Sequence, residues 1–224
     1  MKLDYTVIYS DRKTVNISVE RDRSVVVRAP RHTTPEKIKR IIEAKKLWLF
    51  EKIRHKQKYN PNIEPKEFVS GESILYLGKS YRLDVVSSDQ KGIRFNNKFI
   101  IAKSSQPIAS QLFKEWYVQK AREKILPKVQ AYAKSLGVTY NNVMISDLKY
   151  RWGSCTPKNN LNFNWRLIKA PMFVIEYVIV HELAHFLESN HTPRFWNIVF
   201  IQVPHYQKAK EWLKEHGDLL EQDL

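Results

Sequence analysis

The seventeen residues 171–187 read PMFVIEYVIVHELAHFL, and they constrain the chain more than any other stretch. They are apolar enough for a helix buried on most of its faces. They also carry Glu176, His181, Glu182 and His185, which a bilayer would penalise. The segment is therefore expected to be a core helix opened by Pro171, not a membrane span.

Within it, His181, Glu182, Leu183, Ala184 and His185 form an H-E-x-x-H sequence. Residues four apart share one helix face, so His181 and His185 can offer two imidazoles to one ion. Glu182 stands one position further round, placed to hold and deprotonate a water on that ion. Neutral imidazole suits zinc, which lowers the pKa of a bound water to about 7. His191 follows six residues after His185, past Phe186-Leu187-Glu188-Ser189-Asn190, and Thr192-Pro193 then opens a new helix. A sharp turn at 188–191, with Asn190 as the residue suited to a left-handed conformation, swings His191 back as third ligand. Three histidines and a water make an open, catalytic type of site with one zinc per chain. The spacing equals that of H-E-x-x-H-x-x-G-x-x-H metalloproteases, but Glu188 occupies the glycine position, so the turn must differ.

The rest of the chain reads as α+β. Strands are expected at 3–9, 14–20 and 24–29, then one helix from about 34 to 58, capped by Thr33 or Thr34 with Pro35 at its first position. Asn60–Pro65 reads as a linker. Strands follow at 73–77, 80–86 and 98–102, with turns at Gly78 and Asn96-Asn97. A long helix covers 108–135 and stops at Gly137. Strands near 142–147 and 161–168 flank YRWGSCTPKNN, and further helices start at Thr192-Pro193 and near residue 205.

The six glycines do not cluster, which excludes a Walker loop or a dinucleotide fingerprint. A single cysteine, Cys155, excludes an internal disulfide framework. With an N-terminus that lacks a signal pattern, this fits a cytoplasmic location without membrane association. Lys and Arg number 38 against 23 Asp and Glu, a net charge of +15. Residues 1–60 hold 16 of the basic residues and 7 of the acidic ones. A field of that sign attracts polyanions, so 34–58 is a candidate for phosphate contact with nucleic acid, without base reading. Solvation of a charged helix face explains the same pattern.

The stretch from Tyr150 to Trp196 strongly resembles the YgjP-like family of predicted zinc metallopeptidases. The resemblance rests on Arg151–Cys155, on Leu161, Asn162, Arg166 and Leu167, on Pro171, on His181–His185, and on Asn190, His191, Phe195 and Trp196. It extends to Arg28–Pro30 and to YLGKSYRL at 76–83, and so spans nearly the whole chain. The resemblance implies a minimal zincin core near the SprT and WLM groups, whose members include proteases that cut proteins crosslinked to DNA. It implies His181, His185 and His191 as zinc ligands and Glu182 as general base.

The sequence thus predicts an α+β chain with a basic strand-rich region at 1–104 and a zincin-like metallohydrolase domain at 105–224. The expected activity is zinc-dependent hydrolysis of peptide bonds by an endopeptidase, with Glu182 activating the zinc-bound water. One alternative is a nucleotide or phosphoester hydrolase on the same metal. Another is a nucleic-acid-associated module, acting on DNA-linked protein or without catalysis. Arg151, Trp152 and Asn162 are the candidate substrate-binding residues. Arg151 would bind a carboxylate or phosphate, or stabilise an oxyanion. Cys155 reads as a small packed residue and not as a nucleophile.

Overall fold

The computed structural model describes residues 4–19, 24–54, 66–89, 92–148 and 151–221. The chain is mixed α and β, and it divides into two compact units, Met1–Ile63 and Glu64–Leu224.

The first unit is built on three strands rich in Val, Ile and Tyr, residues that favour extended backbone. They are β1 (Tyr5–Ser10), β2 (Asn16–Val19) and β3 (Val25–Pro30), in the order β1-β3-β2. β3 lies in the middle, parallel to β1 and antiparallel to β2. Its Val25, Val27 and Ala29 bury against Ile38 and Ile42 of α1 (Pro35–Ala44) and Leu49 of α2 (Lys46–Arg54). Thr34 caps α1, its side chain accepting from the Lys37 N–H at 3.3 Å. The single helix expected over 34–58 is two helices. The Lys45 N–H is shared between the Ile41 and Ile42 carbonyls, which closes the first helix. Residues 55–58 of the expected helix, the linker Asn60–Pro65, and Leu3 and Glu20 of the expected strands lie outside the described residues.

The second unit holds one large core. Its first sheet has the order β4-β5-β7-β6, from β4 (Ser73–Tyr76), β5 (Lys79–Val86), β6 (Arg94–Phe95) and β7 (Phe99–Ala102). A 3-10 helix, Lys103–Ile108, leads into α3 (Ala109–Leu136), which runs through Pro127 and ends at Gly137 in the left-handed conformation. Phe113 of α3 stacks on Phe68 and packs edge-on against Phe99. These strands therefore share a core with the C-terminal helices. The compact units divide at 63/64, where the sequence reading places the boundary at 104/105.

The second sheet has the order β8-β10-β9, from β8 (Asn142–Ser146), β9 (Gly153–Cys155) and β10 (Asn160–Asn164). β10 is parallel to β8 and antiparallel to β9, which leaves β9 at the edge. The strand expected to reach residue 168 stops at Asn164. There the Asn164 side chain accepts from the Arg166 N–H at 3.0 Å and starts a 3-10 helix, Trp165–Lys169. α4 (Met172–Ala184) then crosses the core against α3, α5 (Pro193–Gln202), α6 (Tyr206–Glu221) and β9.

The start of α4 is fixed by the β4–β5 turn. Leu77 and Gly78 donate backbone bonds to Ile168 and Lys169 carbonyls, at 3.0 and 2.8 Å. A Cβ at Gly78 would stand 2.5 Å from Pro171 Cγ, and its φ is +77°. Only glycine meets both conditions. No helix among the described residues is long and apolar enough to cross a membrane.

Candidate metal centre

α4 is buried on nearly every side until its last turn, where His181 and His185 emerge on one face as the sequence spacing predicts. His185 is the C-cap, and the chain then tightens. Leu187 and Glu188 N–H groups both bond to the Ala184 carbonyl at 3.0 Å. The Thr192 N–H bonds to the Asn190 carbonyl at 2.8 Å, and the Thr192 side chain caps α5. The expected left-handed residue at Asn190 is not found. The positive-φ residues other than glycine are Phe68, Leu77, Asn97 and Asn159 among the described residues. Stacked short-range bonds turn the chain, so Glu188 does not need the freedom of glycine.

The turn brings His191 to the other two histidines. One ring nitrogen from each of His181, His185 and His191 lies within 4.8 Å of the others. Ring centroids are 4.9 to 5.0 Å apart in all three pairs. His181 Nε2 and His191 Nε2 approach to 3.1 Å. Ligands at about 2.0–2.1 Å from a tetrahedral zinc stand about 3.4 Å apart, so this spacing suits one ion with little adjustment. The chemistry of the donors agrees. His185 Nδ1 faces the Glu188 carbonyl at 3.3 Å, which favours the tautomer with a lone pair on Nε2. Burial first, then the neighbouring imidazoles, lowers the pKa of His181 to about 3. Burial lowers that of His185 as well. Neutral imidazole is the ligand form.

Phe195, fully buried at the start of α5, forms the floor. Its ring lies 5.0, 4.6 and 4.8 Å from the rings of His181, His185 and His191. Its position four residues beyond His191 follows from the sequence, but its contact with all three histidines does not.

Glu182 lies on the neighbouring face of α4, against β9. It is only 8% exposed. A Cβ at Gly153 would meet Glu182 Cγ at 2.7 Å and Oε1 at 2.9 Å. Burial pushes the Glu182 carboxyl up to about 7, while the Cys155 backbone N–H and the Arg151 charge pull the other way. Cys155 itself is half-buried, and burial followed by the Glu182 charge raises its thiol pKa. That keeps the thiol protonated and does not favour a nucleophile.

Glu182 and His185 open on a groove of about 690 Å³, walled by β9 and the loop beyond it. Arg151, Ser154, Thr156, Pro157 and Ser189 complete its lining. Of the three candidate substrate-binding residues, Arg151 lines the groove. Trp152 and Asn162 do not. Trp152 packs into the core, its ring edge facing Gly217 of α6. Asn162 Oδ1 accepts from Ser146 Oγ at 2.7 Å on the central strand. Their polar or aromatic character is spent on the scaffold. Asn164, two residues on, is fully buried and donates to the Leu148 and Arg151 carbonyls, at 2.7 and 3.3 Å. It thereby pins the backbone that carries Arg151.

The chain matches the YgjP-like metallopeptidase domain family over residues 13–216. No curated protein matches it. Among solved structures it is similar to the metallopeptidase zymogen of Methanocaldococcus jannaschii jannalysin, with 24% identity and a TM-score of 0.35. That match covers 40% of this chain and 95% of the other. It is also similar to the metallopeptidase zymogen of Pyrococcus abyssi abylysin, with 21% identity and a TM-score of 0.38. This second match covers 45% of this chain and 98% of the other.

Proposed function

Because the chain belongs to the YgjP-like metallopeptidase domain family, we propose that it is a zinc-dependent endopeptidase built on His181, His185 and His191, with Glu182 as its general base. The observation that carries this reading is one juxtaposition. A buried carboxyl group and a cluster of three imidazoles meet around the end of α4, and Glu182 and His185 line one groove. Zinc held by the three histidines supplies Lewis acidity, which acidifies water to a pKa of about 7 and polarises a carbonyl.

The chain's own residues do the rest. Glu182 accepts the proton of the attacking water and hands it to the departing amine nitrogen as the C–N bond breaks and the C–O bond forms. The Cys155 N–H holds the carboxylate, and Gly153 gives it room against β9. β9 is an edge strand, so an extended substrate backbone can pair along its free side. Arg151 lies at the groove wall, where it would meet a substrate carboxylate.

The test is Glu182→Gln against casein. Zinc content equal to wild type with hydrolysis reduced by about 10²–10⁴-fold supports the reading. Undiminished hydrolysis overturns it. Nucleoside triphosphates run beside casein separate it from phosphoester hydrolysis, to which Arg151 would be equally suited. Nucleic-acid contact through 34–58 finds no support in the family or in the structure.

A further inference from the structure

Four rings on three helices and one turn are piled face to face beside the histidines. Tyr177 of α4, one turn before His181, stacks on Tyr206 at 6.4 Å and 24°. Tyr206, the first residue of α6, stacks on Trp196 of α5 at 5.3 Å and 17°. Trp196 stacks on His191 at 5.6 Å and 22°. Lys210 of α6 also places Nζ 4.6 Å from the Trp196 ring centroid. The pile begins on the metal helix and ends on the third candidate ligand.

Hydrogen bonds do not perform this task. His185 has the Glu188 carbonyl to orient it. His181 Nδ1 is buried with no hydrogen-bond partner among the described residues. For His191, among the described residues, the hydrogen-bond contact of its ring is the one with His181 Nε2. His191 is exposed and sits in a turn. A ring in that setting rotates among several rotamers unless something flanks it. Each rotamer lost on binding metal weakens the binding, so a ring already held binds more tightly.

We propose that the Tyr177–Tyr206–Trp196 stack is the positioning device for His191, fixing its ring plane before metal arrives and making α6 a working part of the metal centre. The proposal rests on the three-histidine reading. Tyr206 is its diagnostic residue, because it stacks on Tyr177 and Trp196 but on none of the histidines. It acts on the ligand only through Trp196, as a positioning residue.

Cobalt(II) alone is the probe. Competition with a chromophoric chelator gives its Kd, and its visible absorption reports ligand geometry. Tyr206→Leu and Trp196→Leu keep apolar bulk and remove the aromatic face. The melting transition of each metal-free variant is recorded, and binding is compared where both are folded. The expected result is a 10–100-fold weaker Kd, the size seen when a ligand's outer support is removed, with wild-type affinity retained in Tyr206→Phe. Wild-type affinity in Tyr206→Leu, or an equal loss in Tyr206→Phe, overturns the proposal while leaving the three-histidine site intact. Equal cobalt binding by wild type and His191→Ala overturns the site itself, and the proposal with it.

Discussion

Gly153 and Glu182 are in such close contact that a Cβ on the first would stand 2.7 Å from Cγ and 2.9 Å from Oε1 of the second. Position 153 thus controls where the carboxylate lies. Gly153→Ala is expected to displace Glu182 without touching the histidines. Casein hydrolysis should fall by at least about 10-fold, since misplacing a catalytic group by about 1 Å can cost about 10²-fold. Zinc content, measured in parallel, should not change.

Asn164 is fully buried and serves two carbonyls and one backbone N–H. Asn164→Ala leaves two part-buried carbonyls without their donor and the Arg166 N–H without its acceptor, a loss of about 1–3 kcal/mol. Chemical denaturation should show that loss. The Arg151 end of the groove should also loosen, seen as faster amide hydrogen exchange over 151–155.

Asp147 accepts from Arg166 and from Lys114, the latter at 3.2 Å. Burial alone would raise its carboxyl, but the bonds and charges of Arg166 and then Lys114 outweigh that and hold it below the ordinary carboxylate range. A folded-state pKa below the unfolded one stabilises the protein above the unfolded value and is lost as pH falls through the folded one. The carboxylate is 44% exposed, so screening limits the contribution to at most about 1 kcal/mol. Asp147→Asn should therefore be less stable than wild type at pH 7, and the gap should close as pH drops below about 4. Denaturation midpoints at the two pH values check this.

Gly78 has φ +77° and no room for a Cβ beside Pro171. Gly78→Ala should destabilise the fold by about 1–3 kcal/mol. It should also weaken zinc binding, because the turn anchors the start of α4. Thermal melts of metal-free protein and chelator competition measure the two effects separately.

The helix that carries the candidate ligands was legible in the sequence because its information is local. Four-residue spacing on an apolar helix sets His181 and His185 side by side regardless of the rest of the fold. The return of His191 was legible too, from Thr192-Pro193 restarting a helix. How the turn is made was not, because hydrogen bonds to Ala184 and Asn190 carbonyls leave no mark on residue type. The apolar run Trp165, Leu167, Ile168 reads as strand, yet a side-chain cap from Asn164 makes it a 3-10 helix. The domain boundary depends on Phe68 and Phe99 meeting Phe113, contacts between distant residues that no local pattern encodes. The same holds for Tyr206. Nothing about a tyrosine fifteen residues after His191 marks it as a neighbour of the candidate metal centre.

In the proposed site, His181, His185 and His191 together hold one metal ion beside Glu182. Metal content by mass spectrometry on purified, dialysed protein tests it most directly. About one zinc per chain is expected in wild type and in Glu182→Gln, and little in His181→Ala or His191→Ala. Zinc retained in full by either histidine variant, or none bound by wild type after zinc is offered, would contradict it.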